Sequence, residues 1–312
     1  MNKLLILSQD APRYQPLVEA AELPRLEVFY ATDIEAASGM ARDCNIFLAE
    51  PGLASTILET AGRLEWLQSA WAGVDRLCQP GLRRDYVLTG LKGIFDRPIS
   101  EYVVTYLFAL ERQIFALRAN QMKKRWRPRS YRPASDITLG VIGLGSIGKH
   151  VARTARRFGV RVIGLNRSGK PCSEVEKVYT ADNLAEFLDK LDYLVVILPD
   201  TPETRHFVNE DLLMMMKSSS VLINVGRGSV VNEHDLIKAL EGGEIDAAVL
   251  DVFETEPLPG DSPLWSMPNV YITPHVAAIS FPEHVVGVFK ENYHRYLQHK
   301  PLLHLIDFER GY

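Results

Sequence analysis

Short apolar runs alternate with stretches of helical length along the whole chain. In the first third, Lys3–Leu7, Leu26–Tyr30, Asn45–Ala49, Glu65–Ser69 and Tyr86–Thr89 are each brief, apolar and bounded by polar or turn residues. Runs of that length, spaced by helix-sized segments, predict parallel βα units. A periodic stretch from Pro98 to Gln121 follows, with Pro98 suited to a first helical position. The run Lys123–Pro133 then breaks the period with cations and prolines. It reads as a connector between domains, solvated or facing another subunit, with a local anion-attracting patch as the alternative. A second alternating series has strands expected at Ile137–Ile142, Val160–Leu165, Tyr193–Leu198, Val221–Asn224, Ile245–Leu250 and Val270–Thr273. Helices fit at Ile147–Phe158 and Glu233–Glu241, and a last one fits at Pro282–Gln298.

Composition narrows the class. The 312 residues suit two domains, and 46% apolar with 24% charged residues is a globular balance. No run approaches the ~18 apolar residues of a membrane span. Leu4–Leu7 is too short for a secretory leader, whose apolar region has roughly 7–15 residues. A net charge of -4 argues against a nucleic-acid binder, because affinity for phosphate backbones needs excess Lys and Arg. Cys44, Cys78 and Cys172 form no C-x-x-C pair and read as small buried hydrophobes in a reducing cytoplasm.

Gly143-Leu144-Gly145-Ser146-Ile147-Gly148 matches G-x-G-x-x-G, with an apolar strand leading in and a helix leading out. The first glycine permits a tight turn, the second lets a pyrophosphate approach, and the third lets helix and strand pack. The helix N-terminus adds N–H donors and a positive dipole end. NAD enzymes usually carry a carboxylate about 20 residues on, for the ribose 2′-hydroxyl. Here Asn166-Arg167-Ser168 stands at that place. Arg167 offers a fork of donors to a 2′-phosphate and Ser168 one more. NADP(H) is therefore expected as the preferred cofactor, with NAD(H) also accommodated.

Three further motifs each follow an expected strand: Asn224-Val225-Gly226-Arg227-Gly228, Leu250–Pro257 and Thr273-Pro274-His275. They would gather an arginine, a carboxylate and a histidine at the ligand-binding edge of one sheet. Reduction of a 2-keto acid needs a hydride and a proton. A histidine titrating near neutrality is a natural proton donor, and a carboxylate beside it favours the imidazolium. A guanidinium anchors the substrate carboxylate and polarises its carbonyl. Spacing alone leaves Glu254 and Glu256 both open as the histidine's partner. The other histidines show no metal-ligand spacing, so no metal is expected.

At these residues the chain resembles the D-isomer-specific 2-hydroxyacid dehydrogenases, over nearly its whole length. Leu198-Pro199-Asp200-Thr201-Pro202-Glu203-Thr204 fits the same pattern. The resemblance implies that Arg227 and His275 are catalytic and that Glu256, directly before proline, partners His275. It implies that Asp251 touches the nicotinamide carboxamide. It also implies that Leu198, Pro199, Thr204, Val225 and Gly226 line the cofactor site. Trp71-Ala72-Gly73-Val74-Asp75 resembles a loop whose backbone N–H groups hold the substrate carboxylate, which falls on Ala72, Gly73 and Val74.

Ile99–Val103 and His275–Ala278 look closest to bacterial glyoxylate/hydroxypyruvate reductases, which generally prefer NADPH. Other relatives are D-lactate, phosphoglycerate, formate and phosphite dehydrogenases, and some are corepressors. Asn166 departs from the Asp of many relatives. A cytoplasmic homodimer joined through the nucleotide domain is implied, acting on small 2-keto or 2-hydroxy acids, with no nucleic acid and no membrane. The expected fold class is α/β: two Rossmann-like, doubly wound parallel-sheet domains with a cleft between them. Residues 1–102 and 279–312 would form the substrate domain, and 103–278 the dinucleotide-binding domain.

Overall fold

The structure is a computed structural model that describes residues 1–311. They form two compact units, 1–94 with 280–311, and 95–279.

The first unit opens with β1 (Asn2–Leu7), α1 (Ala11–Ala20), β2 (Leu26–Ala31), α2 (Ile34–Ala41), β3 (Ile46–Ala49), α3 (Pro51–Ile57), β4 (Trp66–Ser69) and β5 (Val87–Thr89). The strands pair in parallel in the order β2-β1-β3-β4-β5. Every residue of β3 and β4 is buried, whereas β2, at the edge, is half-buried along most of its length. That contrast explains the sequence pattern. Inner strands of a parallel sheet are covered on both faces and read as unbroken apolar runs.

The second unit comprises α4 (Asp96–Glu111), α5 (Ile114–Met122), β6 (Thr138–Ile142), α6 (Ser146–Arg157), β7 (Arg161–Leu165), β8 (Val178–Tyr179), α7 (Leu184–Leu188), β9 (Tyr193–Val196), α8 (Glu210–Met214), β10 (Val221–Asn224), α9 (Glu233–Gly242), β11 (Ala247–Leu250) and β12 (Val270–Ile272). Its seven strands run β12-β11-β10-β9-β6-β7-β8, all parallel. The order reverses at β6, between β9 and β7. Doubly wound sheets open a ligand crevice beyond the carboxyl ends of the strands at such a switch point. The chain then returns to the first unit as α10 (Pro282–Leu297), where Phe289 stacks on Trp66 at a centroid distance of 5.2 Å.

Some expectations need correction. The periodic stretch 98–121 is two helices, because Gln113 takes a left-handed conformation (φ 54°). Helix α4 begins at Asp96, so Pro98 is its third residue. The first N–H groups of a helix have no intrahelical acceptor, so a proline is tolerated there. The basic run 123–133 is no connector between domains, since it lies wholly inside the second unit, between α5 and β6. The units divide between Ile94 and Phe95, where the sequence pattern places the step after residue 102. All of α4 belongs with the second unit, tied to α6 by Ser146–Asp96 (2.5 Å) and Ser100–His150 (2.7 Å) bonds.

Candidate active site

The glycine turn is built at the carboxyl end of β6. Gly143 has φ 100°, and a Cβ there would lie 2.2 Å from the Ile197 carbonyl oxygen. A Cβ on Gly148 would lie 2.0 Å from the Gly143 oxygen, so the start of α6 is pressed against the turn. Gly145 differs: nothing lies within 4 Å of its virtual Cβ. It is also the N-cap of α6 and gives the helix no side-chain cap. The first-turn N–H donors and the positive dipole end therefore border open space, which fits a dinucleotide's diphosphate. Ser146 is engaged, donating its hydroxyl to Asp96 Oδ2 at 2.5 Å. Ile147 is half-buried beside it.

The opposite wall comes from β9 and β10. Gly226 packs against the backbone of Leu198. Val225 is buried and Leu198 and Pro199 are half-buried. Thr204 donates to the Pro199 carbonyl (2.6 Å) and accepts from the Thr201 N–H (2.9 Å), so its hydroxyl shapes the loop 199–204.

Past β7, Asn166 organises a tight turn. Its Oδ1 accepts from the Gly169 N–H (2.7 Å) and the Ser168 hydroxyl (3.3 Å), and its Nδ2 donates to the Lys170 carbonyl (3.2 Å). The amide uses both its acceptor and its donor, a task that Asp cannot perform. Arg167, Ser168 and Lys170 are exposed on this turn. The Glu203 carboxyl is held below its usual range, first by its own backbone N–H and also by the Arg167 charge.

The carboxyl ends of β10, β11 and β12 carry the remaining groups. Asn224, buried, accepts from the Gly226 N–H (3.2 Å) and donates to the Arg227 carbonyl (3.0 Å), fixing the loop that presents Arg227. Arg227 Nη1 donates to the Gly226 carbonyl at 2.8 Å. His275 stands in the left-handed region at φ 55°, with its Nδ1 2.7 Å from Glu256 Oε2. Glu256 Oε1 accepts from the Phe253 N–H at 3.0 Å.

Glu254, the other candidate from spacing, turns away. It accepts from the Glu233 N–H (3.1 Å), its own N–H donates to Glu233 Oε1 (2.6 Å), and its Oε1 lies 3.2 Å from His206 Nε2. Asp251 is buried at 2% exposure and accepts from Thr273, Val276 and Ala277.

The electrostatics follow from these contacts. The Glu256 bond raises the His275 pKa above its ordinary value, outweighing burial and the opposing charge of Arg227. Burial alone would raise the Glu256 carboxyl, but the His275 and Phe253 bonds bring it below the usual range. A charged imidazolium–carboxylate pair beside a guanidinium can deliver one proton and grip one anion.

In the first unit, Ala72, Gly73 and Val74 follow β4. Ser69 turns the chain there, donating to the Trp71 carbonyl (2.6 Å) and accepting from the Trp71 N–H (3.1 Å). Ala72 is exposed, Gly73 half-buried and Val74 buried. Sequence spacing gave no signal for Tyr102, whose hydroxyl lies 2.6 Å from Thr273 Oγ1, or for the separate contacts of His206 and of Glu233 with Glu254. These partners are remote in sequence and meet only through the fold. Among the described residues, no group of three or more His, Cys, Asp or Glu side chains is placed to hold a metal. No helix among them is long and apolar enough to cross a membrane.

Fold and site together define an oxidoreductase, and the chain belongs to the D-isomer specific 2-hydroxyacid dehydrogenases, whose NAD binding domain model matches residues 104–277. It is similar to glyoxylate/hydroxypyruvate reductase A of Serratia proteamaculans, 36% identical over 236 residues, covering 73% of this chain and 75% of that protein. A family protein from Aeromonas salmonicida superposes with a TM-score of 0.95 at 43% identity, covering 98% of this chain and 99% of that one. An NADPH-dependent glyoxylate/hydroxypyruvate reductase from Sinorhizobium meliloti, solved with NADP and sulfate, superposes with a TM-score of 0.91 at 31% identity over 100% of both chains.

Proposed function

We propose that this enzyme reduces small 2-keto acids, glyoxylate to the achiral glycolate and hydroxypyruvate to its D-2-hydroxy acid, with NADPH as the preferred cofactor and NADH as a weaker one. The observation that carries the reading is the 2.7 Å His275–Glu256 pair, coupled to Arg227, on the sheet edge that also holds the glycine turn. The names of the Serratia and Sinorhizobium relatives support the substrates. The NADP of the Sinorhizobium complex and the NADPH of a Xanthobacter autotrophicus family structure (TM-score 0.88, 32% identity) support the cofactor.

The dinucleotide would be held by Gly143, Gly145, Ser146, Ile147 and Gly148 at the diphosphate, with Leu198, Pro199, Thr204, Val225, Gly226 and Asp251 along its length. Arg167 and Ser168, on the turn set by Asn166, would take the 2′-phosphate. When bound, the reduced nicotinamide supplies the hydride. The chain's own residues do the rest. Arg227 binds the substrate carboxylate and polarises the keto oxygen. His275, with Nδ1–H directed to Glu256, gives the proton on Nε2 to the developing alkoxide and leaves as neutral imidazole. Glu256 fixes the ring and stabilises the imidazolium before transfer. Solvent then restores the proton.

Quaternary state and compartment belong to the same proposal: a homodimer in a reducing cytoplasm, consistent with the free Cys44, Cys78 and Cys172. The test is loss of reduced-nicotinamide absorbance on purified protein. Glyoxylate, hydroxypyruvate, pyruvate and phenylpyruvate are each offered with NADPH and with NADH. Fast NADPH-dependent turnover of the two smallest polar acids is expected. Turnover with NADH alone would overturn the cofactor reading, and turnover of phenylpyruvate alone the substrate reading.

A further inference from the structure

We propose that Tyr102, acting through Thr273 and Asp251, is a positioning residue that holds His275 in its working orientation. The inference rests on the reductase reading and adds residues to its machinery. Thr273 Oγ1 donates to Asp251 Oδ1 at 2.6 Å. A threonine hydroxyl carries one hydrogen, so the 2.6 Å contact between Tyr102 Oη and Thr273 Oγ1 has the tyrosine as donor. The direction of the chain is thus fixed: Tyr102 to Thr273 to the Asp251 carboxylate. Burial pushes the Tyr102 pKa up, which keeps that hydroxyl protonated as a donor.

Asp251 is where the chain meets the chemistry. Its backbone oxygen accepts from the His275 N–H (2.8 Å), its Oδ1 from the Val276 N–H (2.8 Å) and its Oδ2 from the Ala277 N–H (2.9 Å). One residue therefore grips the backbone at and directly after the histidine. His275 needs that grip, because its φ of 55° is a conformation that non-glycine residues rarely hold unaided. The charged and titratable groups acting on His275 are Glu256, Arg227 and Asp251, and those acting on Tyr102 are Tyr106 and Asp251.

The seat of Tyr102 is rigid independently of its hydroxyl. Its ring lies 4.8 Å from that of Tyr106, which in turn lies 6.4 Å from Tyr271. Removing only the oxygen leaves this packing in place, so Tyr102→Phe removes the hydroxyl's bonds to Thr273 and Tyr106 without disturbing the rings, and Thr273→Val singles out the Thr273 link.

The experiment compares Tyr102→Phe, Thr273→Val, Thr273→Ser and the Tyr102→Phe/Thr273→Val double variant. In NADPH-dependent glyoxylate reduction, Tyr102→Phe and Thr273→Val should each lower kcat about tenfold, with KM moving less than about threefold. The double variant should be no worse than Thr273→Val, because the groups act as one unit. Thr273→Ser, which keeps the hydroxyl, should stay within about twofold of the parent. Independently of any substrate, amide exchange at Val276 and Ala277 should quicken about tenfold in Tyr102→Phe while the β6 amides keep their protection. Additive losses, or parental kcat and parental exchange in Tyr102→Phe, would overturn the inference. If the parent turns over no 2-keto acid, the reductase reading has failed, and the exchange arm alone decides the grip on 275–277.

Discussion

Glu256 Oε2 lies 2.7 Å from His275 Nδ1, whereas Glu254, only two positions earlier, faces Glu233 and His206. Successive positions of an extended segment point to opposite sides, so an extended chain would aim Glu254 and Glu256, two apart, the same way. Bends at 254–257 separate them, and the loop leaves one carboxylate for the histidine and the other for α9.

The two glutamates should therefore separate in activity. Glu256→Gln should lower kcat for glyoxylate reduction about 10²-fold or more, the scale of losing an organised proton donor. Glu254→Gln should stay within about fivefold, since it touches neither His275 nor Arg227. Parallel steady-state kinetics on the two variants check this, and equal losses would reverse the assignment.

The pH profile follows from the sign of the His275 shift. Reduction needs the imidazolium, and the Glu256 bond raises the His275 pKa above 6.5. The rate should be greatest on the acid side of that raised value and fall as pH rises through it. Glu256→Gln removes the first cause of the shift, so its descending limb should move toward acid. The pair also contributes to stability in a defined window. The His275 part is complete below about 6.5 and is lost as pH rises through the folded pKa. The Glu256 part is present above about 4.3 and is lost as pH falls through its depressed folded value. Profiles of kcat/KM and of urea midpoints against pH read both.

Arg167→Ala should raise KM for NADPH about 10–100-fold, the cost of one or two charge-assisted bonds to phosphate. KM for NADH should change less than about threefold, because no 2′-phosphate is present to lose. The ratio of the two KM values in parent and variant is the measurement.

Arg132 anchors the root of the 123–131 segment, bonding Glu111 at 2.5 Å and Asp192 at 2.8 Å, both carboxylates being nearly buried. Arg132→Met would leave those two charges short of a partner. A loss of about 2–4 kcal/mol is expected, below the full cost of a broken buried pair because Arg132 itself is half-exposed and Lys217 lies near Asp192. The midpoint and slope of urea unfolding test it.

Much of this was legible in the sequence for a physical reason. Val221–Asn224 is buried on both faces and reads as an apolar run, so its limits coincide with β10. The glycine turn was legible because Gly143 and Gly148 meet backbone that admits no Cβ. Val178–Tyr179 went unread, since a two-residue edge strand carries no period. The break at Gln113 was hidden because helical periodicity continues on both sides of it. Asn166 was legible as a missing carboxylate but not as the organiser of its turn, which depends on where the Gly169 and Lys170 backbone falls.

That turn sets the terms for redesign. An engineer seeking an enzyme for the unphosphorylated dinucleotide would first try Asn166→Asp. The exchange keeps the acceptor for Gly169 but deletes the donor to Lys170 and points a negative charge at its carbonyl. The shape that displays Arg167 and the residue at 166 are one object. Retuning the enzyme means grafting a whole replacement loop between β7 and β8, with a single-site library at 166 exploring mostly damaged turns.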